Sequence, residues 1–335
     1  MFSHWYIRPV LILTVAVSCA AAAEDANSNS DRPLFRSTTS EVRVTFFATD
    51  SNDQPVATVA KSDLAVIDNE QVIRAFRSFD RSNETVLDVV ALVDLSESVA
   101  PRFQATSSEV LRLVAQEQST PSDSISVLSF GGTFGRAFAG MPAGTITNTE
   151  PEVLCSGDCP AAVSMGKLAV ASSRGVTPLF DALLLAASFI SNHRRAEARP
   201  ILILLSDGND TISLHTQAEA LAALGEAGTL VYSVDIGISA NRRTSGSRLL
   251  RQLSESTGGR YFLASELSSR KGGGVVTVLN AALDDMRASY VVTYDLPNSK
   301  TEFHSLRLMP TRNLNLTFHS SRSSYKSDYY ASSVR

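Results

Sequence analysis

The chain has 335 residues, which is enough for one α/β domain and a smaller companion. Its apolar content of 44% and charged content of 19% are those of an ordinary globular protein and exclude an intrinsically disordered chain. The formal net charge of −4 gives no electrostatic basis for binding nucleic acid or an anionic membrane, so we expect neither as a partner.

Residues 1–23 have the pattern of a secretory signal peptide. Arg8 precedes a short apolar core at 10–17, and small residues at 21–23 provide a cleavage site. The core is too short to cross a bilayer as a helix, and no other stretch is long and apolar enough. We therefore expect an exported chain (periplasmic, in the cell envelope or secreted) without a transmembrane segment in its mature form. An uncleaved anchor and a lipid anchor at Cys19 are the alternatives.

Two cysteines, Cys155 and Cys159, remain once the signal peptide is removed. An even number of cysteines in an oxidising compartment favours a disulfide. The CSGDC spacing is not that of a C-x-x-C redox motif, and a zinc site would need a second pair of ligands. We expect a small structural disulfide loop.

Both ends of the mature chain have β patterns. After a polar, flexible leader at 24–39, short strands and a hairpin around Asp68-Asn69-Glu70 are predicted within 40–82. A few short strands cannot enclose a core alone, and the β pattern returns at 288–320. We expect the two ends to pair as a small β-sandwich, followed by a loosely ordered tail at 321–335.

The middle of the chain, 83–287, alternates strands with helices. Apolar runs that read as buried strands begin near 86, 125, 200 and 230, and helices are predicted at 102–118, 179–190, 216–226, 248–255 and 275–287. Residues 140–173, which contain the cysteine pair, have no clear period. This alternation predicts an α/β fold, namely a doubly wound, mostly parallel sheet inserted in the β-sandwich.

The apolar run 86–93 ends in three oxygen-bearing side chains at alternate positions, Asp94, Ser96 and Ser98. Open α/β sheets bind ligands outside the carboxyl ends of their strands. Oxygen donors suit a hard cation such as Mg²⁺ better than Zn²⁺. The D-x-S-x-S pattern alone is weak, because Asp and Ser are common in loops.

Two later loops complete a possible metal site. Thr177 precedes a predicted helix with Pro178 in its first turn, so Thr177 can cap the helix, bind a metal ion, or do both. Asp207 follows the buried strand that begins near 200, although Asp-Gly is also ordinary turn chemistry. Three loops in this order, each after the element that a known family places before it, favour one shared site.

These loops resemble the metal ion-dependent adhesion site (MIDAS) of the von Willebrand factor type A (VWA) domain. Further stretches resemble the VWFA-related family described from Acidobacteria: DLAVID at 63–68, LLSDG at 204–208, TGGR at 257–260 and RASY at 287–290. The resemblance implies that Ser96, Ser98 and Thr177 contact the cation, and that Asp94 and Asp207 act largely through bound waters. It also implies Mg²⁺, with Mn²⁺ or Ca²⁺ as alternatives, and a protein ligand that docks through a carboxylate.

One residue departs from the family pattern. Many members have Gly between the two serines, where this chain has Glu97. We expect its side chain to point to solvent. The alternative is that it competes for the ion or repels an acidic ligand.

Enzyme signatures are missing from the sequence. It contains no G-x-S-x-G and no H-E-x-x-H motif, and Gly166-Lys167 is followed by Leu168 rather than Ser or Thr. We therefore expect not an enzyme but an exported module that captures a protein through its metal site. The alternatives are a metal-independent scaffold of the cell envelope and a metal-assisted hydrolase, for which the sequence offers no positioned general base.

Overall fold

The computed structural model describes residues 41–82, 86–102, 105, 108–110, 112, 124–131, 152–157, 176–195, 198–237, 243–267, 274–297 and 303–326. They belong to one compact unit that begins at Ser40. The predicted signal peptide, leader and Cys19 lie outside the described residues, as do Cys159 and most of the predicted helix at 102–118.

The strands and helices of the described residues follow the predicted order. The strands are β1 (Glu41–Thr49), β2 (Leu64–Asp68), β3 (Gln71–Ile73), β4 (Ser78–Arg81), β5 (Val86–Asp94), β6 (Ser124–Phe130), β7 (Glu152–Cys155), β8 (Ala198–Ser206), β9 (Leu230–Asp235), β10 (Tyr261–Leu263), β11 (Tyr290–Asp295), β12 (Phe303–Pro310), β13 (Thr317–Ser320) and β14 (Ser324–Lys326). The α-helices are α1 (Leu179–His193), α2 (Gln217–Glu226), α3 (Ser245–Thr257), α4 (Ala264–Leu267) and α5 (Gly274–Arg287). Short 3₁₀ helices occur at Lys61–Asp63 and Glu97–Arg102.

The central sheet has the strand order β10-β9-β8-β5-β6-β7. All neighbouring strands are parallel except β7, which pairs antiparallel with β6 at one edge. Strands β5 and β8 occupy the middle because their apolar runs can be buried on both faces, and every residue of β8 is buried. Apolar residues of α5 pack on one face of the sheet, and those of α1, α2 and α3 pack on the other. The predicted doubly wound, mostly parallel sheet is confirmed.

The two ends of the described chain form two further four-stranded sheets, with orders β13-β1-β11-β4 and β14-β12-β2-β3. Each sheet joins strands from before and after the α/β domain: β1 pairs with β11, and β2 pairs with β12. Apolar residues of both sheets share one core, so the predicted β-sandwich is confirmed. The predicted hairpin is also found, because β2 and β3 pair around Asn69 and Glu70, which have φ angles of 45° and 71°.

The prediction of a loosely ordered tail from 321 is wrong for Ser324–Lys326, which form β14 and pair with β12. Tyr325 explains the difference, because its hydroxyl donates to the buried Asp68 carboxylate and its ring stacks on His304 at 4.7 Å. These contacts are made by residues distant in sequence, so the local composition does not indicate them. Residues 327–335 lie outside the described part of the chain.

The prediction that 140–173 is irregular is wrong for Glu152–Cys155, which form the edge strand β7. The strand is only four residues long, too short to produce a visible period, and it is formed by pairing with β6. Cys155 takes part in a disulfide. The predicted partner, Cys159, lies outside the described residues, so the pairing stays a prediction.

The TGGR stretch joins the α/β domain to the sandwich. Gly258 ends α3 with φ 79°, and a Cβ at this position would lie 2.0 Å from the Ser320 carbonyl oxygen on β13. Arg260 forms an ion pair with the buried Asp285 at 3.2 Å and donates to the Asp53 carbonyl in the sandwich. Only glycine can combine this backbone conformation with so close an approach.

We therefore predict that Gly258→Ala lowers the free energy of unfolding by at least about 1 kcal/mol, because it adds both a left-handed alanine and a backbone clash. The matched control is Gly225→Ala in α2, where a Cβ would meet nothing within 4 Å. Alanine there should be neutral or stabilising by up to about 1 kcal/mol. Urea unfolding compares the two variants, and an equal effect of both would contradict the close contact at Gly258.

Candidate functional site

Four of the five predicted site residues lie at or just after the carboxyl ends of β5 and β8, at the same edge of the sheet. The two strands are parallel neighbours, with Val93 opposite Leu205, so the loops that follow them leave at the same height. Asp94 is the last residue of β5, and Asp207 comes directly after β8. The sheet itself therefore brings the first and third predicted loops together.

Asp94 is almost completely buried, with 1% of its surface exposed. One carboxylate oxygen accepts the Ser96 backbone N–H at 2.9 Å, and the other accepts the Ser206 hydroxyl at 2.7 Å. Burial raises the pKa of Asp94 to about 6; these hydrogen bonds oppose the rise, and the negative charge of Asp207 adds to it. The edge of the sheet thus holds a buried carboxylate with a second carboxylate near enough to repel it.

The hydroxyl groups of Ser96 and Ser98 lie 3.1 Å apart. Ser96 is buried and Ser98 is exposed, so this pair leads from the Asp94 carboxylate toward solvent. The end of β6 packs closely on the loop, because a Cβ at Gly131 would lie 3.2 Å from the Ser96 nitrogen. Glu97, between the two serines, is exposed.

Thr177 is attached to the loop that follows β8. Its backbone N–H donates to the Thr211 hydroxyl at 2.7 Å, and its carbonyl accepts the Thr211 N–H at 2.9 Å. Only 2% of Thr177 is exposed. Within the described ranges, no residue forms a hydrogen bond with its hydroxyl. Thr177 therefore has a hydroxyl oxygen that is not used by the described part of the fold.

Thr177 does not cap helix α1, which was one of the two roles that the sequence left open for it. Helix α1 has Pro178 at its N-cap position, with no side-chain cap of its own. Instead, Asp210 accepts the Leu179 N–H at 2.9 Å, and the Ser213 hydroxyl accepts the Phe180 N–H at 2.9 Å. The loop after β8 folds over the start of α1 and satisfies its free N–H groups. Pro178, which was predicted in the first turn of this helix, lies one residue before the helix begins.

Asp207 forms the turn that an Asp-Gly sequence favours. Its carboxylate accepts the Asn209 N–H at 3.0 Å, and Gly208 has φ 75°. A Cβ at Gly208 would lie 2.4 Å from the Gly246 carbonyl oxygen at the start of α3, so the turn is packed tightly. Only 8% of Asp207 is exposed. The turn role and a metal role do not exclude each other.

Ser206 is a residue of this site that sequence reasoning missed. It is fully buried, donates to Asp94 and accepts the Gly208 N–H at 3.0 Å. It therefore connects the first loop to the third. The available signal was a hydroxyl at the end of an otherwise apolar buried strand, where only a polar neighbour makes it favourable.

A similar carboxylate ends the next strand, β9, but its hydrogen bonds are all used locally. Asp235 is 1% exposed and accepts the Ser247 hydroxyl, the Tyr261 hydroxyl at 2.8 Å and the Gly237 N–H at 3.0 Å. This set anchors α3 and β10 to the sheet. Asp235 is therefore a structural residue beside the candidate site.

Hydrogen bonds connect Asp94, Ser96, Ser98 and Ser206, and a second set joins Thr177 to the loop that contains Asp207. In the part of the chain that the structure describes, no group of three or more His, Cys, Asp or Glu side chains is arranged to hold a metal ion. A cation at this edge would therefore depend on hydroxyl oxygens as well as carboxylates. Of the helices in the described ranges, none combines the length and apolar character needed to cross a bilayer.

The protein has a doubly wound sheet with polar loops at the carboxyl ends of its central strands. This arrangement defines the class of α/β domains that bind ligands at that edge of the sheet. The family model of the von Willebrand factor type A domain matches residues 88–271, more than half of the chain, which therefore belongs to this family. Among solved structures, the chain is similar to the conserved hypothetical protein BatB from Bacteroides thetaiotaomicron, with 16% identity, a TM-score of 0.40 and coverage of 60% of this chain and 97% of that chain. The comparison with curated proteins gave no match.

Mutations can distinguish the role of Asp210, which caps α1, from that of Thr177, which does not. We predict that Asp210→Ala lowers the free energy of unfolding by about 1 kcal/mol, because the start of α1 loses its cap. Thr177→Val should change it by less than about 0.5 kcal/mol, because the hydroxyl it removes is unpaired. Urea unfolding in EDTA measures both variants. A larger loss for Thr177→Val than for Asp210→Ala would contradict this assignment.

Proposed function

We propose that this chain is an exported protein-binding module that holds a divalent cation at Asp94, Ser96, Ser98, Thr177 and Asp207 and captures a protein partner through it. VWA domains are generally protein-interaction modules and often have such a site, which supports the proposal. The observation that carries it is the pair of hydroxyls at Ser96 and Ser98, 3.1 Å apart, next to the buried Asp94 carboxylate.

The available donors fit a hard cation. Three hydroxyls as direct ligands, with two carboxylates that act largely through bound waters, offer the oxygen atoms that Mg²⁺ prefers, and Mn²⁺ or Ca²⁺ can use the same groups. Burial is the main cause of the raised pKa of Asp94, and repulsion by the negative charge of Asp207 adds to it. A bound divalent cation supplies the positive charge that offsets this repulsion and leaves a coordination position for a partner carboxylate.

The surrounding residues hold these donors in place. Ser206 fixes the Asp94 carboxylate, so the charge closest to the site cannot move away. Thr211 holds Thr177 at the level of the third loop through two backbone contacts. Because the proposed direct ligands are neutral hydroxyls, the ion keeps most of its charge for an acidic group of the partner. The proposed export rests on the signal-peptide pattern at 1–23.

Binding of the ion can be measured directly. We predict saturable binding of Mg²⁺ or Mn²⁺ to the chain by isothermal titration calorimetry, weakened at least about tenfold, or about 1.4 kcal/mol, in Asp94→Asn. Thr177→Val should weaken it as well, because one ligand is lost. The matched control is Asp88→Asn, on the same strand β5 but at its opposite end, where Asp88 pairs with Arg195 at 2.6 Å. Absence of binding to the unaltered chain, or equal binding by both Asn variants, would overturn the metal site.

Partner capture tests the second half of the proposal. The immobilised chain should retain one or more proteins from a cell-envelope extract in Mg²⁺ and release them in EDTA, and Asp94→Asn should retain none. Capture that persists in EDTA and in Asp94→Asn would instead support a metal-independent scaffold. Asp88→Asn is again the matched control, because it makes the same change on the same strand away from the proposed site.

A further inference from the structure

A cleft of about 260 Å³ lies where the α/β domain meets the sandwich, and its lining includes none of the five proposed metal ligands. Arg251 of α3, Arg260 and Tyr261 line it from the α/β domain, and Asp53 and His319 line it from the sandwich. Its volume equals that of roughly nine water molecules, which is enough for a small organic molecule.

Arg251 is the feature of this cleft that needs an explanation. Its guanidinium group lies over the ring of Tyr261, 5.2 Å from the centroid, and its Nη2 atom is enclosed without any hydrogen-bond partner. Glu255 lies one helical turn further along α3, yet the two side chains form no ion pair within the described structure. Nη2 itself is closed to solvent, but the side chain as a whole is only half-buried and lines the cleft, and its charge has no ion-pair partner in the described structure. Arg251 therefore suits the negative group of a ligand in the cleft.

The other arginine of the cleft is already engaged. Arg260 pairs with Asp285 at 3.2 Å, and its Nη1 donates to the Asp53 carbonyl. Burial lowers the pKa of His319 to about 4, and the nearby charge of Arg260 adds to this, so His319 is neutral at pH 7. Arg251 is therefore the positive group that remains for a ligand.

The opening of the cleft is negative. Asp53, Glu255 and Glu266 line it and are all exposed to solvent. A ligand with only negative charge would be attracted by Arg251 and repelled by these carboxylates. A ligand with a carboxylate at one end and a cationic group at the other would match both parts of the cleft.

We propose that this cleft binds a small zwitterion, of which a free amino acid is the simplest example, with its carboxylate on Arg251 and its ammonium group toward Asp53 and Glu255. The site is separate from the proposed metal site and does not depend on it. A ligand there would contact both the α/β domain and the sandwich.

Calorimetric titration of the full chain in EDTA with L-alanine, acetate and methylammonium tests this proposal. We expect saturable binding of L-alanine that is at least tenfold tighter than that of either single ion. Arg251→Gln should abolish it, because glutamine keeps a hydrogen-bonding group but loses the charge. Arg248→Gln, an exposed arginine on the same helix, is the matched control and should bind like the unaltered chain.

Three results would overturn the proposal: no saturable binding of L-alanine, acetate binding as tightly as L-alanine, or binding that Arg251→Gln leaves unchanged. If Arg251→Gln does not fold, Glu255→Gln provides the decision. This variant should bind L-alanine more weakly and acetate more tightly, because it removes one negative charge from the opening. The opposite changes would contradict the assigned orientation.

Discussion

The candidate site depends on one constraint, which is that a carboxylate is buried at the end of a strand enclosed on both faces. Asp94 lies where β5 leaves the sheet, and burial of its charge must be offset by hydrogen bonds. The Ser96 N–H and the Ser206 hydroxyl provide them. Satisfying this one group therefore sets the conformation of the loop after β5 and connects that loop to the end of β8.

The three loops support one another in the same way. Asp210 and Ser213, from the loop after β8, cap α1, and Thr211 holds Thr177 through its backbone. The cost of burying free N–H groups at the start of a helix is thereby met by a loop distant in sequence. As a result, Thr177 does not need its hydroxyl for the helix. That hydroxyl is left for a ligand, which is why Thr177 is a candidate metal ligand and not a cap.

The sequence predicted those features that have a local signal. The unbroken apolar runs of β5 and β8 predicted the middle of the sheet, and the Asp-Asn-Glu turn predicted the hairpin of β2 and β3. It also indicated that both chain ends share a sandwich, because neither end has enough strands to enclose a core. The sequence left open whether Thr177 caps α1, and it could not decide this because the cap comes from Asp210, more than thirty residues away.

Other features had a weak local signal or none. Strand β14 is held by contacts of Tyr325 with Asp68 and His304, residues from two other strands. Ser206 was missed because a single serine after an apolar run looks like the beginning of a turn until its partner, Asp94, is known. These cases share one cause, since polar groups buried by tertiary structure choose partners by position in space rather than in sequence.

The central claim is that hydroxyls and carboxylates of three loops hold one divalent cation. A crystal of the chain soaked in Mn²⁺, with anomalous scattering recorded for that ion, tests it most directly. The account predicts a single strong peak about 2.1 Å from the hydroxyl oxygens of both Ser96 and Ser98, with Thr177 in the same coordination shell. A peak elsewhere, or no peak while these two hydroxyls remain hydrogen-bonded to each other, would contradict it.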